Sequence, residues 1–439
     1  WTEAADVSPG YNDPALFLDD DGRLYMYEGL SGTTPLRVFE LDPRTFQRIR
    51  SAEIPQSRDK QARGWEVPGD RNRNEATPSY IEGAWMTKHR GRYYLQYAAP
   101  GTEYKTYADG VLVASNPMGP FTYQAYSPFS FKPSGFIAGA GHGSTFAGPD
   151  GRWWHIGTMS ISIRHNFERR LGLFPAGFTA KGELFADTYL GDYPRYVGGD
   201  RKLTGWMLLS RHKAVSASSE LSGFPASNAA DEEVRTWWSA ATGNPGEWFQ
   251  IDLGARKTVQ AIQINFADQG SQGKEISQDG YRYLLELSDD GQTWRTVVDR
   301  SAASADTPHD YQVLAGPQFA RFVRLTNVHT PDGGKFSLYD LRVFGRGTGA
   351  VSAKVKAAVF RRDVLDGRRA DIAWSAVRSA EFYVVRLGIS PHLLSQNYQV
   401  YDGQTSLEVA SLNVGQRYCF AVDAVNENGI TRGSVQCSK

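Results

Sequence analysis

Cysteine is nearly absent, no sign of charge dominates, and no long apolar run occurs. Cys419 and Cys437 are the only cysteines in 439 residues. Lys and Arg together number 48, as do Asp and Glu. There is neither a basic face that would suggest nucleic acid nor an acidic tail. No stretch of about 18 apolar residues exists, so nothing reads as a membrane span. No secretory signal is visible, but residue 1 is Trp, which is compatible with a leader removed earlier. What the chain has in quantity is aromatic residues (11 Trp, 22 Tyr, 22 Phe) and glycine (45). That mixture suits an all-β protein with tight turns and aromatic surfaces for flat rings such as sugars. The length exceeds what one core serves, so two to four domains are expected.

The two cysteines flank Asn428-Gly429, a hairpin turn signal, at nine residues on either side. They would face each other across one β-ribbon, within reach of a disulfide, which fits an oxidising compartment. Two free thiols are the other reading.

Three segments share one pattern: LFLDDDGRLYMYEG (16–29), WMTKHRGRYYLQYA (85–98) and STFAGPDGRWWHIG (144–157). Each has a strand, a turn ending in glycine, an arginine and an aromatic strand. The shared glycines are Gly22, Gly91 and Gly151, and hairpin repeats at such spacing mark propeller blades. Nine residues before each glycine stand Asp13, Glu82 and His142. Equivalent positions on the innermost strands of a propeller converge at its axis, so a shared site is expected there. The plain alternative is that each residue caps its own strand.

A boundary falls near residue 210. Residues 211–346 read as short strands between polar turns, including WFQIDLG (248–254), TVQAIQINF (258–266) and SLYDLRVFG (337–345), a β-sandwich pattern. GRGTGAVSA (345–353) reads as a linker. Residues 354–439 again alternate and suggest seven short strands.

NDPALFLDDDGRLYMYEG, YIEGAWMTKHRGRYYLQYAAPG, ADGVLVASNPMGPF and GAGHGSTFAGPDGRWWHIG together resemble glycoside hydrolase family 43, five-bladed propellers that cleave glycosides with inversion. Residues 211–346 resemble a discoidin (F5/8 type C) carbohydrate-binding module through TWWSA, EWFQIDLG, SDDGQTW, ARFVRL and SLYDLRVFG. The last segment resembles fibronectin type III through Trp374 and YCFAVDAVNENG. The fold implied is all-β: part of a five-bladed propeller over 1–210, a discoidin-like sandwich over 211–346 and a fibronectin-like sandwich over 354–439.

The first resemblance implies roles. Glu82 is expected as general acid, and Asp13 as the aspartate that orients it and favours its protonated form. The base aspartate lies in the family's first blade, ahead of the DPALF-like motif, and only about three blades are visible. A preceding segment or a second polypeptide is therefore expected to complete the propeller; the alternative is that Asp13 is itself the base. His142 resembles an axial histidine that holds calcium or water. Arg169, Asp109, His165 and Arg164 are candidates for sugar contacts, and Trp85 and Trp154 for stacking, although such aromatics are more often core. Asp19, Asp20 and Asp21 read as a hairpin turn, not a calcium loop. In the discoidin-like part, Asp231, Thr236 and Asp340, with Asn228 nearby, are the expected calcium ligands.

The function expected is a secreted, periplasmic or extracellular inverting hydrolase. It would remove terminal or side-chain arabinofuranoside, xyloside or galactoside units from polysaccharide or oligosaccharide. A non-catalytic carbohydrate-binding protein on a degenerate propeller, or an adhesion protein, is the other class.

Overall fold

A computed structural model describes residues 12–160, 169–272 and 280–438 of the chain. The first 186 residues supply three antiparallel meanders. The first joins β1 (Ala15–Leu18), β2 (Leu24–Glu28), β3 (Leu36–Leu41) and β4 (Arg48–Ile54). The second runs β5 (Glu82–His89), β6 (Arg92–Ala99), β7 (Ala108–Ala114) and β8 (Thr122–Tyr123), with β9 (Ser130–Phe131) also on β7. The third runs β10 (Ala138–Ala147), β11 (Trp153–Ser160), β12 (Arg169–Phe178) and β13 (Leu184–Ala186). These are the three propeller blades that the repeated glycines foretell. Each shared glycine sits in its hairpin turn at positive φ, where a side chain would be strained: +82° at Gly22, +72° at Gly91 and +74° at Gly151.

Aromatic strands give the blades their glue. Tyr25, Tyr27 and Val38 of the first blade share a core with Leu95, Tyr97 and Leu112 of the second. Tyr94, Val111 and Phe129 of the second share another with Met159, Phe174 and Ala176 of the third. The outer faces of the two end blades differ. Phe17 packs edge-on against Tyr93 of the second blade, so Leu16 and Leu18 point the other way, 56% and 64% exposed. On the third blade Leu171 and Leu173 are likewise exposed, while Phe174 between the same rows is buried.

The next sheet is an antiparallel sandwich built on two very long strands, Trp248–Phe266 and His309–His329, with Ser337–Arg346 beside the first. The sequence predicts two strands over 248–266. The structure joins them through a register break between Asp252 and Lys257, because the polar Gly-Ala-Arg turn is absorbed as an irregularity. The C-terminal sandwich sets Ala358–Arg362, Ala370–Trp374 and Ser406–Val409 against a sheet centred on Phe382–Gly388 and Cys419–Asn426. It has eight strand segments instead of the expected seven, since the final strand is broken into Gly429–Thr431 and Gln436–Cys437. Cys419 and Cys437 are Cα partners and are joined by a disulfide. The segment read as a linker is fastened down: Gly347 N–H donates to Glu427 O, and the Asn426 and Asn428 amides donate to Ala350 O.

The three parts meet in one apolar junction of Tyr189, Tyr193, Leu208, Phe344, Phe382 and Val425. Beside it lies a fully buried charge cluster. Arg342 grips Glu232 through two bonds of 2.7 and 3.0 Å and donates to Asp192 O at 2.6 Å. The Asp192 carboxylate also takes Lys132 Nζ at 3.1 Å and Gln399 Nε2 at 2.8 Å. Burial drives the Asp192 carboxyl upward, but Lys132 and Arg342 outweigh it and hold its pKa below the ordinary value.

Candidate active site

Asp13, Glu82 and His142 come from three different blades, and one ligand atom from each lies within 4.8 Å of the others. Local irregularity brings them together. Asp13 precedes β1 at φ 59°, and His142 lies at φ 50° in a stretch of β10 with register breaks on both sides. Glu82 opens β5 just before another break, at Gly83. A Cβ on Gly83 would stand 2.8 Å from His142 Cγ, so only glycine lets the second blade approach the third this closely. Gly141 does the same for Tyr107, whose ring a Cβ would also meet at 2.8 Å.

Glu82 is 9% exposed, and Tyr107 Oη donates to its Oε1. Asp13 Oδ2 is buried with no hydrogen-bond partner. A buried carboxylate oxygen with nothing to accept from is costly unless a ligand, proton or cation satisfies it. The set at the axis can therefore bind a hydroxyl-rich ligand or hold a shared proton. Its imidazole makes it a poor match for a hard cation, which prefers all-oxygen surroundings.

Asp109, Trp85 and Trp154 make contacts within and between the blades. Asp109 lies beside the site, across Ala98 from Glu82, and its Oδ1 is buried without a hydrogen-bond partner. It is fully buried, with Oδ2 3.0 Å from Gly143 N and 3.1 Å from His155 Nε2, so it braces the strand that carries His142. Trp85 is half-buried and donates its indole N–H to Thr145 O at 3.2 Å, tying the second blade to the third. Trp154 is buried beneath Arg201. Arg169 opens β12, paired with Ser160, and His165 and Arg164 lie outside the described residues. Asp19 is no calcium ligand; it is 6% exposed and accepts from Tyr93 at 2.6 Å and from Lys88.

Sequence reasoning missed Tyr107 and the buried chain Gln96–Thr145–His155, in which Thr145 Oγ1 contacts both Gln96 and His155 Nδ1. Tyr107 immediately precedes the ADG motif, and nothing in its spacing singles it out. His155 sits in the aromatic strand after the third glycine, where it reads as core.

In the second part, Thr236 Oγ1 donates to Asp231 at 2.7 Å, and Glu232 N–H donates to Asp340 at 3.1 Å. The Asp340 side chain is buried, and its Oδ1 has no partner. Burial, with the negative Glu232 beside it, pushes the Asp340 carboxyl well above its ordinary pKa. Burial lifts Asp231 to about 6. Asp340 is buried and Asp231 half-buried, and both offer oxygen, the donor type a hard cation prefers.

Residues 1–183 match the model of Glycosyl hydrolases family 43, and residues 214–341 match that of the F5/8 type C domain. A β-xylosidase of Xylanibacter ruminicola is 27% identical over 144 residues, covering 28% of this chain and 43% of that protein. An arabinoxylan arabinofuranohydrolase of Paenibacillus polymyxa is 33% identical over 127 residues, covering 27% and 19%. The chain spans less than half the length of either relative. A solved glycoside hydrolase aligns over 76% of this chain and 71% of its own, at 20% identity and a TM-score of 0.43. The chain thus carries a family 43 glycosyl hydrolase segment followed by an F5/8 type C domain.

Proposed function

We propose that the chain forms the acid side of an inverting glycoside hydrolase that removes terminal or side-chain arabinofuranoside, xyloside or galactoside units from polysaccharide. The observation that carries this is the convergence of Asp13, Glu82 and His142, with Asp13 Oδ2 left unsatisfied. Glu82 donates its proton to the leaving oxygen as the glycosidic bond breaks. The negative charge of Asp13 favours the protonated acid, and Tyr107 fixes the orientation of its carboxyl. A base on the opposite face of the sugar activates water, at the separation of roughly 6.5–9.5 Å that inversion needs. That base belongs to sheets covering the bare faces at Leu16, Leu18, Leu171 and Leu173, carried by a preceding segment or a second polypeptide. The relatives' names, a β-xylosidase and an arabinoxylan arabinofuranohydrolase, support a pentoside substrate.

The F5/8 type C domain keeps polysaccharide near the cleft and raises its local concentration. Calcium is its proposed structural ion, held by Asp231 and Asp340 with Thr236 alongside. The disulfide supports an oxidising location outside the cytoplasm. A screen of aryl pentosides and galactosides with the complete protein tests the reading. Hydrolysis is expected for at least one, is abolished in Glu82→Gln, and leaves glycan binding intact. Binding without hydrolysis of any glycoside would instead support the carbohydrate-binding alternative.

A further inference from the structure

The three hairpins differ in charge at their tips. In the first and third, an aspartate precedes the shared glycine and neutralises the arginine that follows it. Arg23 lies 3.5 Å from Asp21, and Arg152 Nε lies 2.6 Å from Asp150. In the second hairpin the aspartate is replaced by Arg90, so Arg90 and Arg92 stand together as like charges across Gly91. Arg90 occupies the turn at φ 50°, a conformation that favours Asn, Asp or Gly. Lys181, from the turn between β12 and β13, joins them, and none of the three pairs with a carboxylate among the described residues.

These cations rim a cleft of about 380 Å³ between the second and third blades. Its floor is aromatic. His89 stacks on Phe178 with ring centroids 4.0 Å apart, and Trp153 meets both rings edge-on. The cleft lies at the far end of β5, eight residues or roughly 25 Å along the strand from Glu82, so it is separate from the candidate active site.

We propose that this cleft binds the acidic sugar units of a polysaccharide: the carboxylate of a uronate residue sits between Arg90, Arg92 and Lys181, and the sugar ring lies against the aromatic floor. A guanidinium fork matches a carboxylate in geometry as well as charge, and an anion supplies the carboxylate partner that these three cations lack among the described residues. The proposal deepens the reading that the protein handles polysaccharide, but its test needs no hydrolysis.

Calorimetric titration of the complete protein with trigalacturonate, xylotriose and sodium sulfate separates the possibilities. Trigalacturonate is expected to bind at least tenfold more tightly than xylotriose or sulfate, and less tightly as salt rises. Arg90→Asp removes one cation and places a carboxylate in the turn, at a positive φ that tolerates Asp. It is expected to weaken trigalacturonate about tenfold while leaving xylotriose binding and Tm unchanged. Lys181→Gln, in the neighbouring turn, is expected to act in the same direction. Trigalacturonate binding that is unchanged in both variants would overturn the proposal. So would sulfate binding as tightly as the sugar.

Discussion

Two of the clusters of charged side chains inside this molecule are built on opposite principles. At the junction of the three parts, Asp192, Lys132, Arg342 and Glu232 are fully buried and saturate one another with bonds of 2.6–3.5 Å. At the propeller axis, Asp13, Glu82 and His142 come within 4.8 Å, yet Asp13 keeps an oxygen with no partner. The first cluster has nothing left to offer a ligand and can only hold structure. The second holds little and is poised to accept. Saturation, more than burial or charge, separates a structural cluster from a functional one.

Single substitutions can break this contrast. Arg342→Met leaves Asp192 and Glu232 buried with fewer partners and is expected to cost about 3–5 kcal/mol, read by urea denaturation. A loss below 1 kcal/mol would mean that the junction is not the fastening it resembles. Asp13→Asn is expected to change stability by less than about 1 kcal/mol while lowering kcat at least about a hundredfold. A large stability loss in that variant would place the axis cluster with the structural one. Opening the Cys419–Cys437 disulfide, which spans 18 residues, is expected to cost up to about 3 kcal/mol in the C-terminal sandwich alone. Proteolysis spreading into the blades would show that the junction transmits the loss.

The smallest effect concerns His309. Burial, with a lesser push from Arg170, holds its pKa down to about 3. The folded value lies below the unfolded one, so unfolding takes up a proton and stability falls as pH drops from about 6.5. Because the side chain is half-exposed by surface area, the loss between pH 7 and 5 is expected to be only about 1 kcal/mol. His309→Gln should flatten that slope in thermal melts, and an unchanged slope would assign it to other groups.

The blades were legible because the glycine-centred hairpins repeat, and one register then named Asp13, Glu82 and His142. The disulfide was legible because a turn signal lies midway between the cysteines, although the turn forms at Glu427-Asn428 and a one-residue shift before Gln436 sets Cys419 opposite Cys437. The bond from Gly143 to Asp109 was not legible, because a motif aspartate on a strand looks the same whether or not it also braces its neighbour. Tyr107 stayed hidden because its partner lies 25 residues away and in another strand. The junction was invisible for the same reason: Lys132, Asp192, Glu232 and Arg342 have no shared spacing, and only tertiary packing assembles them.

The proposed delivery of a proton from Glu82 to the leaving group is tested most directly by leaving-group dependence. Turnover of an alkyl pentoside, whose leaving oxygen needs that proton, is expected to fall by about a thousandfold or more in Glu82→Gln. A dinitrophenyl pentoside, whose leaving group departs as an anion, should lose far less. Equal losses on the two substrates, or none on either, would contradict the assignment of Glu82 as the acid.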